Sequence, residues 1–364
     1  MDQADVERFM KRALRLAARG RGRTSPNPMV GAVIVRDGEV VGTGSHRHWG
    51  APHAEVVAIQ EAGKRARGSA LFVNLEPCSH HGLTPPCVSA IVESGISRVF
   101  ASIVDPDPRV DGKGFRFLRR HGVVVDVGAL REEALRLNET YLKWVRKKHP
   151  FVAIKVCQSL DGRIAASDGQ ARGLGSAEEI EFAHSLRARY DAVMVGVGTV
   201  VIDDPLLTVR RRRGRDPHRI ILDSRLSLPL TSRVLEKRGD EKVIVAVINR
   251  APKRKVKALR ERGVEVWLLP EKNGRVSLRR LLSKAGKRSI QSILVEGGSE
   301  VVTSFLREKL ADKLYVAIAP KILGGERSLT WPEEIGVRSV RGAVRLDGLR
   351  VKRLGTDVLL EGYL

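Results

Sequence analysis

Apolar and polar positions along this chain fall into two periodicities that take turns. From Val6 to Ala18 the apolar residues recur at helical spacing, and Gly20 closes the run. "MVGAVIVRDGEVVGTGS" then switches to strand-like runs, with Asp37-Gly38 between them, the dipeptide that suits a tight hairpin. The same reading predicts a helix from about His53, a strand at "ALFVNL" and a helix from Cys87 to Ser94. A strand at "RVFASIV", a helix near residues 115–120 and a strand at "VVVDV" complete the unit. Strands alternating with helices predict an α/β unit over residues 1–128, a mixed sheet covered on both faces.

A helical pattern over about 130–146 runs into "RKKHP", where a basic cluster and Pro150 mark a boundary. Residues 129–150 are therefore expected to be a connecting helix and linker. A second alternating pattern fills 151–364. Ser176 and Glu179 have capping-box spacing for a helix reaching about Tyr190. Strand-like runs recur at "AVMVGVG", "RIILD", "KVIVAVI", "VEVWLL", "SILVEGG" and "LYVAIAP", and "LRVKRLGTDVLLEGYL" reads as a closing hairpin. With 364 residues the chain is long for one core, and two α/β domains are expected.

Composition narrows the class. Hydrophobic residues make up 42% and charged ones 29%, as in a soluble globular protein. No apolar run approaches the ~20 residues of a membrane span, and the N-terminus lacks the apolar centre of a secretory signal. A cytoplasmic protein with no membrane partner is expected. Cys157, alone in "FVAIKVC", reads as a buried structural thiol. The formal charge of +23 is concentrated: residues 205–290 hold 25 Lys or Arg against 8 Asp or Glu. The densest runs, "VRRRRGRD" and "PKRKVKALRER", contain no aromatic residue for base stacking. They read as a solvated basic surface, and no nucleic-acid partner is expected.

Chemistry concentrates in two places. In "APHAEVVAIQ", His53 opens a helix and Glu55 follows two residues on. "EPCSHHGLTPPC" adds Cys78 and Cys87, the latter expected at another helix start. One imidazole, two thiolates and a water form an open zinc site, beside which Glu55 is placed to shuttle a proton rather than bind metal. On the residues alone, His46, His48, His80 and His81 compete as ligands. Asn27, between two prolines in "SPNPMVGAV", both donates and accepts and so suits a base edge.

With eight residues between its cysteines, together with "TSPNPMVGAVIV", "HAE" and "DPRVDGKG", residues 1–128 resemble the deaminase of riboflavin biosynthesis, a cytidine-deaminase-like fold. The resemblance implies His53, Cys78 and Cys87 as zinc ligands, Glu55 as the proton-transfer group, and Asn27 and His46 as substrate contacts. Leu83 departs from it, standing where the family often has Lys or Arg able to meet a substrate phosphate.

The second half offers weaker signals by itself. In "VEGGSEVVTSF", a glycine turn between strand and helix lets a phosphate approach free backbone donors. Arg187 and Arg210 are each capable of gripping a phosphate. "KVCQSLDGRIA", "GVGTVVIDDPLLTVR", "RIILDSRLSLP" and "ILVEGGSEVVTSFL" together resemble the reductase half of the same bifunctional family, dihydrofolate-reductase-like in fold and dependent on NADPH. That resemblance implies Lys155, Gln158, Gly173, Thr199, Asp203 and Ser224 at the cofactor, with Gly298, Ser299, Glu300, Val301, Val302, Thr303 and Ser304 as its turn and helix start. It implies Ala171, Arg187, Leu207, Arg210 and Glu296 on the substrate side, and a homo-oligomer. "ARG" at 171–173 departs from the family's Ser, any residue, Trp.

The expected function is thus a two-step enzyme of riboflavin biosynthesis acting on a phosphorylated, ribosylated pyrimidine. Two alternatives are a base deaminase of RNA with a basic tether, and a deaminase whose second domain is not catalytic.

Overall fold

The computed structural model describes residues 1–82, 85–211, 214–237 and 239–364. The Leu83 position and part of the arginine run after Arg210 lie outside them. Two compact units divide the chain, Met1–Lys148 and His149–Leu364.

In the first unit, α1 (Gln3–Ala17) leads to the hairpin β1 (Gly31–Arg36) and β2 (Glu39–Ser45), then α2 (Ala54–Ala62) and β3 (Ala70–Val73). There follow α3 (Cys87–Glu93), β4 (Arg98–Ala101), α4 (Lys113–Arg120) and β5 (Val124–Val127). The strands form one sheet in the order β2-β1-β3-β4-β5, antiparallel about β1 and parallel from β3 to β5. Alternation along β1 sends Val33 and Val35 to one face, where Phe9, Met10 and Ala13 of α1 pack, and Ala32 and Ile34 to the other. On that second face lie Ala54 and Ala58 of α2, Val88 and Ile91 of α3, and Phe115 of α4.

Two glycines set where α2 begins. A Cβ on Gly44 would stand 1.9 Å from the Ala54 carbonyl oxygen, and one on Gly42 2.3 Å from that of Ala58. Only bare backbone on β2 lets the helix lie this close, and its first turn carries Glu55. The segment 129–150 is two helices, α5 (Arg131–Leu137) and α6 (Glu139–Lys147), broken at Asn138. Both helices pack within the first unit, where Ala134, Tyr141, Leu142 and Val145 share a buried cluster with Leu75 and Ile103; the unit ends at Lys148, and His149 and Pro150 belong to the second.

The second unit runs β6 (Phe151–Gln158), β7 (Arg163–Ala165), α7 (Ala177–Arg187), β8 (Ala192–Gly196), α8 (Val197–Asp203), β9 (His218–Leu222) and β10 (Val243–Ile248). It continues with α9 (Lys253–Glu261), β11 (Glu265–Leu269), the short β12 (Glu271–Lys272) and β13 (Arg275–Val276), α10 (Leu278–Lys287) and β14 (Ser292–Val295). Last come α11 (Ser299–Arg307), β15 (Lys313–Ile318), β16 (Leu329–Thr330), β17 (Asp347–Leu354) and β18 (Asp357–Tyr363). Nine strands make one sheet ordered β11-β10-β9-β8-β14-β6-β15-β18-β17, parallel except where β18 pairs with β15 and β17. The closing hairpin is as the sequence pattern predicts.

Three expectations change here. "AVMVGVG" is a strand only to Gly196; the β-branched run beyond it is α8, a helix its residue types hide. The capping box is half made: Ser176 Oγ accepts from the Glu179 amide at 3.2 Å, but the Glu179 carboxylate turns away to pair with Lys155. The Ser176 amide bonds Asp357 Oδ2 instead, at 2.7 Å. Cys157 is half-buried rather than buried, and it lines a cleft, where burial pushes its thiol up to about 12.

Candidate metal centre and cofactor cleft

His53 caps α2 in extended conformation and Cys87 is the first residue of α3, so two helix starts aim donors at one point. His53 Nδ1 lies 3.0 Å from Cys87 Sγ and 3.5 Å from Cys78 Sγ. The Cys87 amide donates to Cys78 Sγ at 3.3 Å. All three ligand atoms lie within 4.8 Å of one another, the one such His, Cys, Asp or Glu cluster among the described residues. His46, His48, His80 and His81 are not in it. The contact between the two sulfur side chains holds the Cys78 thiol below its ordinary range and, with burial, pushes the Cys87 thiol up. One thiolate is thus ready as a ligand, and the second proton is the one a bound cation displaces. One imidazole nitrogen and two sulfurs suit Zn²⁺, with a tetrahedral position left for water.

Glu55 is 3% exposed, and burial pushes its carboxyl up to about 7. It stands beside the donor cluster without belonging to it. His46 is buried, its ring edge-on to His53 at 5.5 Å between centroids. Its Nε2 meets Asn27 Nδ2 at 3.1 Å and its Nδ1 meets the Pro52 carbonyl at 3.2 Å. Both contacts are satisfied by a neutral imidazole protonated on Nδ1, and burial lowers the His46 pKa accordingly. Asn27 and His46 are therefore brought together next to His53.

Sequence reasoning missed the groups that hold this arrangement. The Asn74 side chain accepts from Gly31 N at 2.8 Å and donates to Met29 O at 2.9 Å. Asn138 clasps the same Met29, accepting from its amide at 2.8 Å and donating to its carbonyl at 3.0 Å. Glu76, two residues before Cys78, gathers the amides of Asp105, Gly112 and Phe115 at 2.9–3.2 Å. Asn138 had left a signal, a polar break inside a helical pattern. Asn74 and Glu76 had left none beyond their place after a strand.

In the second unit, a cleft of about 1930 Å³ opens at the carboxyl ends of the parallel strands, roughly twice the ~1,000 Å³ upper range of single-ligand pockets. It brings together Lys155, Ala171, Gly173, Arg187, Thr199, Asp203, Leu207, Arg210, Ser224 and Glu296 with Gly298, Ser299, Glu300, Val301, Val302 and Ser304. Gln158 and Thr303 do not line it. Gln158 Oε1 accepts from Trp331 Nε1 at 2.6 Å, and Thr303 Oγ1, nearly fully buried, accepts from Glu333 N at 2.9 Å. Gly298 caps α11 with φ +79, a conformation that favours glycine, and Thr199 Oγ1 lies 3.5 Å from where its Cβ would be.

Several expected contacts are already engaged. Arg187 forms a two-pronged ion pair with Glu296 (2.8 and 2.5 Å) and donates to Thr208 O at 3.3 Å. Lys155 pairs with Glu179, a residue absent from the expected set; burial opposes its charge, but Glu179 and then Glu296 outweigh that and raise its pKa. The Ser224 hydroxyl accepts from Val276 N at 3.1 Å, Ser299 donates to Thr330 O at 2.7 Å, and Glu300 pairs with Arg275 at 2.8 Å. Arg210 donates to Thr208 Oγ1 at 3.3 Å.

Both units have counterparts in known proteins. Residues 3–103 match the family model of the cytidine and deoxycytidylate deaminase zinc-binding region, and residues 150–360 match that of the RibD C-terminal domain. The chain belongs to the RibD family. The riboflavin biosynthesis protein RibD of Aquifex aeolicus is 42% identical over 97% of this chain and 96% of its own. That of Escherichia coli is 38% identical over 98% of each. Among solved structures, a Thermotoga maritima diaminohydroxyphosphoribosylaminopyrimidine deaminase/5-amino-6-(5-phosphoribosylamino)uracil reductase is 38% identical, covers 99% of both chains and has a TM-score of 0.86. Acinetobacter baumannii RibD is 34% identical, covers 100% of this chain and 99% of its own, with a TM-score of 0.89. As a member of that family, the chain joins a cytidine-deaminase-like zinc domain to a dihydrofolate-reductase-like domain that takes NADPH, and it serves riboflavin biosynthesis as deaminase and reductase.

Proposed function

We propose that the chain deaminates a diaminopyrimidine ribosyl phosphate in its first unit and reduces the ribosyl group of the product to ribityl in its second. The observation that carries this is one polypeptide holding both a His-Cys-Cys donor cluster with a buried carboxyl beside it and a cleft of about 1930 Å³ with a glycine turn. The reading assigns deaminase chemistry to residues 1–128 and reductase chemistry to 151–364, with 129–150 bracing the first.

In the first unit His53, Cys78 and Cys87 would hold zinc, which when bound would supply the Lewis acidity that makes a water nucleophilic near neutral pH. Glu55, its pKa near 7, takes a proton from that water and hands it to the departing amino group. Asn27 and His46 orient the pyrimidine edge by hydrogen bonds. Ammonia leaves from the ring carbon that gains oxygen.

In the second unit bound NADPH would supply a hydride equivalent to the first carbon of the sugar while a proton from solvent goes to the ring oxygen as its bond to that carbon breaks, turning ribosyl into ribityl. The turn at Gly298, the α11 start and Thr199 receive the dinucleotide, with Asp203 and Ser224 beside it. Lys155, Glu179, Arg187 and Glu296 form a charge-balanced floor, and Arg210 faces the substrate phosphate. Orientation is the protein's contribution, since the chemistry needs no protein nucleophile.

A homo-oligomer in the cytoplasm, acting on small molecules without nucleic acid or membrane, completes the proposal. No described helix is long and apolar enough to cross a membrane. The test supplies the deaminated intermediate with NADPH and follows loss of NADPH fluorescence. Turnover that disappears in Arg210→Ala supports the reading; no turnover by the wild-type protein leaves a deaminase with an inactive second unit.

A further inference from the structure

Trp331 is the one aromatic side chain among the described residues that line the second-unit cleft. Both molecules assigned to that cleft carry planar heteroaromatic rings, and a flat ring in a polar cleft gains from an aromatic face. The indole is half-buried and held from several sides. Its Nε1 donates to Gln158 Oε1 at 2.6 Å. The residues before it, Leu329 and Thr330, pair with Ala165 and Arg163 as a two-stranded ribbon. Thr330 O accepts from Ser299 Oγ at 2.7 Å, and Glu333 N donates to Thr303 Oγ1 at 2.9 Å, tying the segment to the first turns of α11 on both sides of the tryptophan.

This fastening explains two side chains that looked like cofactor contacts in the sequence. Gln158 and Thr303 do not line the cleft; their side chains are bonded to the segment that carries Trp331. A large amphipathic side chain that packs against the core and is bonded to Gln158, on a segment fastened on both sides and next to a helix start suited to phosphate, is a preorganised binding group.

We infer that Trp331 provides the stacking face for the planar ring of a ligand bound at the α11 turn. The inference rests on the reductase reading. The shared chemistry is a flat nitrogen heterocycle, either a ring of NADPH (nicotinamide or adenine) or the substrate pyrimidine, and two binding arms separate the two ligands.

The experiment titrates the full-length, zinc-loaded protein and its Trp331→Leu and Trp331→Phe variants with NADPH alone and with the deaminated pyrimidine intermediate alone. Dissociation constants come from calorimetry, and energy transfer from tryptophan to bound NADPH gives a second signal. Trp331→Leu is expected to weaken the stacked ligand roughly tenfold, within the range that base–aromatic stacking supplies. Trp331→Phe, which keeps a flat face while losing the bond to Gln158, is expected to stay within about threefold of wild type. Loss confined to NADPH assigns a ring of the dinucleotide, and repeating the titration with NMNH, which lacks adenine, separates nicotinamide from adenine; loss confined to the intermediate assigns the pyrimidine. Wild-type binding of both ligands with equal affinity in Trp331→Leu overturns the inference. Equal weakening in the Leu and Phe variants also overturns it, because the hydrogen bond and not the face then matters. A wild-type protein that binds neither ligand overturns the reductase reading, and the inference with it.

Discussion

Arg187 and Glu296 stand 109 residues apart in sequence and meet as a two-pronged ion pair, their side chains 14% and 5% exposed. The pair joins the end of α7 to the residue after β14, next to the glycine turn. A pair this enclosed costs desolvation on both sides, and its value shows when one partner is removed. Arg187→Met is expected to destabilise the second unit by roughly 3–5 kcal/mol, because Glu296 is then buried without compensation. Pairing Arg187→Met with Glu296→Gln is expected to recover much of that loss. Denaturant melts of the two single variants and the double variant measure the coupling.

The first centre depends on bare backbone in β2. Gly44→Ala would place a methyl carbon 1.9 Å from the Ala54 carbonyl and push the start of α2 outward. Lower stability, by about 1–3 kcal/mol from overpacking, should accompany reduced zinc content at a fixed zinc concentration. Elemental analysis of the purified variant, set against its melting curve, checks both.

Asp105 gives the first unit a pH signature. It is 6% exposed, and burial pushes its carboxyl up to about 6, opposed by bonds from Asp107 N and the Tyr141 hydroxyl. A carboxyl whose folded pKa lies above its unfolded value binds its proton more tightly when folded. The associated stability is fully present below about pH 4 and is lost as pH rises through about 6. From about 1.4 kcal/mol per unit, the loss is on the order of 3 kcal/mol. Asp105→Asn keeps an acceptor and cannot ionise, so it should gain stability over wild type at pH 8 and little at pH 4. Urea melts at the two pH values give the difference.

Legibility from the sequence follows the physical range of each signal. Cys78 and Cys87 were readable because metal binding restricts residue type, His53 was singled out among competing histidines only by the family resemblance, and the structure brings all three donors together. Glycine turns were readable because few residues other than glycine take φ near +79. What escaped depends on distant partners. The Glu179 backbone cap was legible, whereas the capture of its carboxylate by Lys155 was not. Arg187 was read as free for phosphate because Glu296 is nowhere near it in sequence. Trp331 was overlooked because it lies in an irregular stretch with no periodicity, and only the folded cleft gives it meaning. Helix α8 was hidden by Val and Ile, residues that favour strands unless tertiary packing decides otherwise.

The central claim is that two chemistries run in order on one chain, and Glu55 separates them. The decisive measurement follows NADPH oxidation by the zinc-loaded wild type and by Glu55→Gln, each given either the diaminopyrimidine ribosyl phosphate or its deaminated product. The account predicts that wild type oxidises NADPH with both substrates. It predicts that Glu55→Gln retains zinc and turns over the deaminated product normally, but slows by about 10²–10⁴-fold when it must deaminate first. NADPH oxidation by Glu55→Gln at the wild-type rate on the diaminopyrimidine, with its amino group still in place, would contradict it.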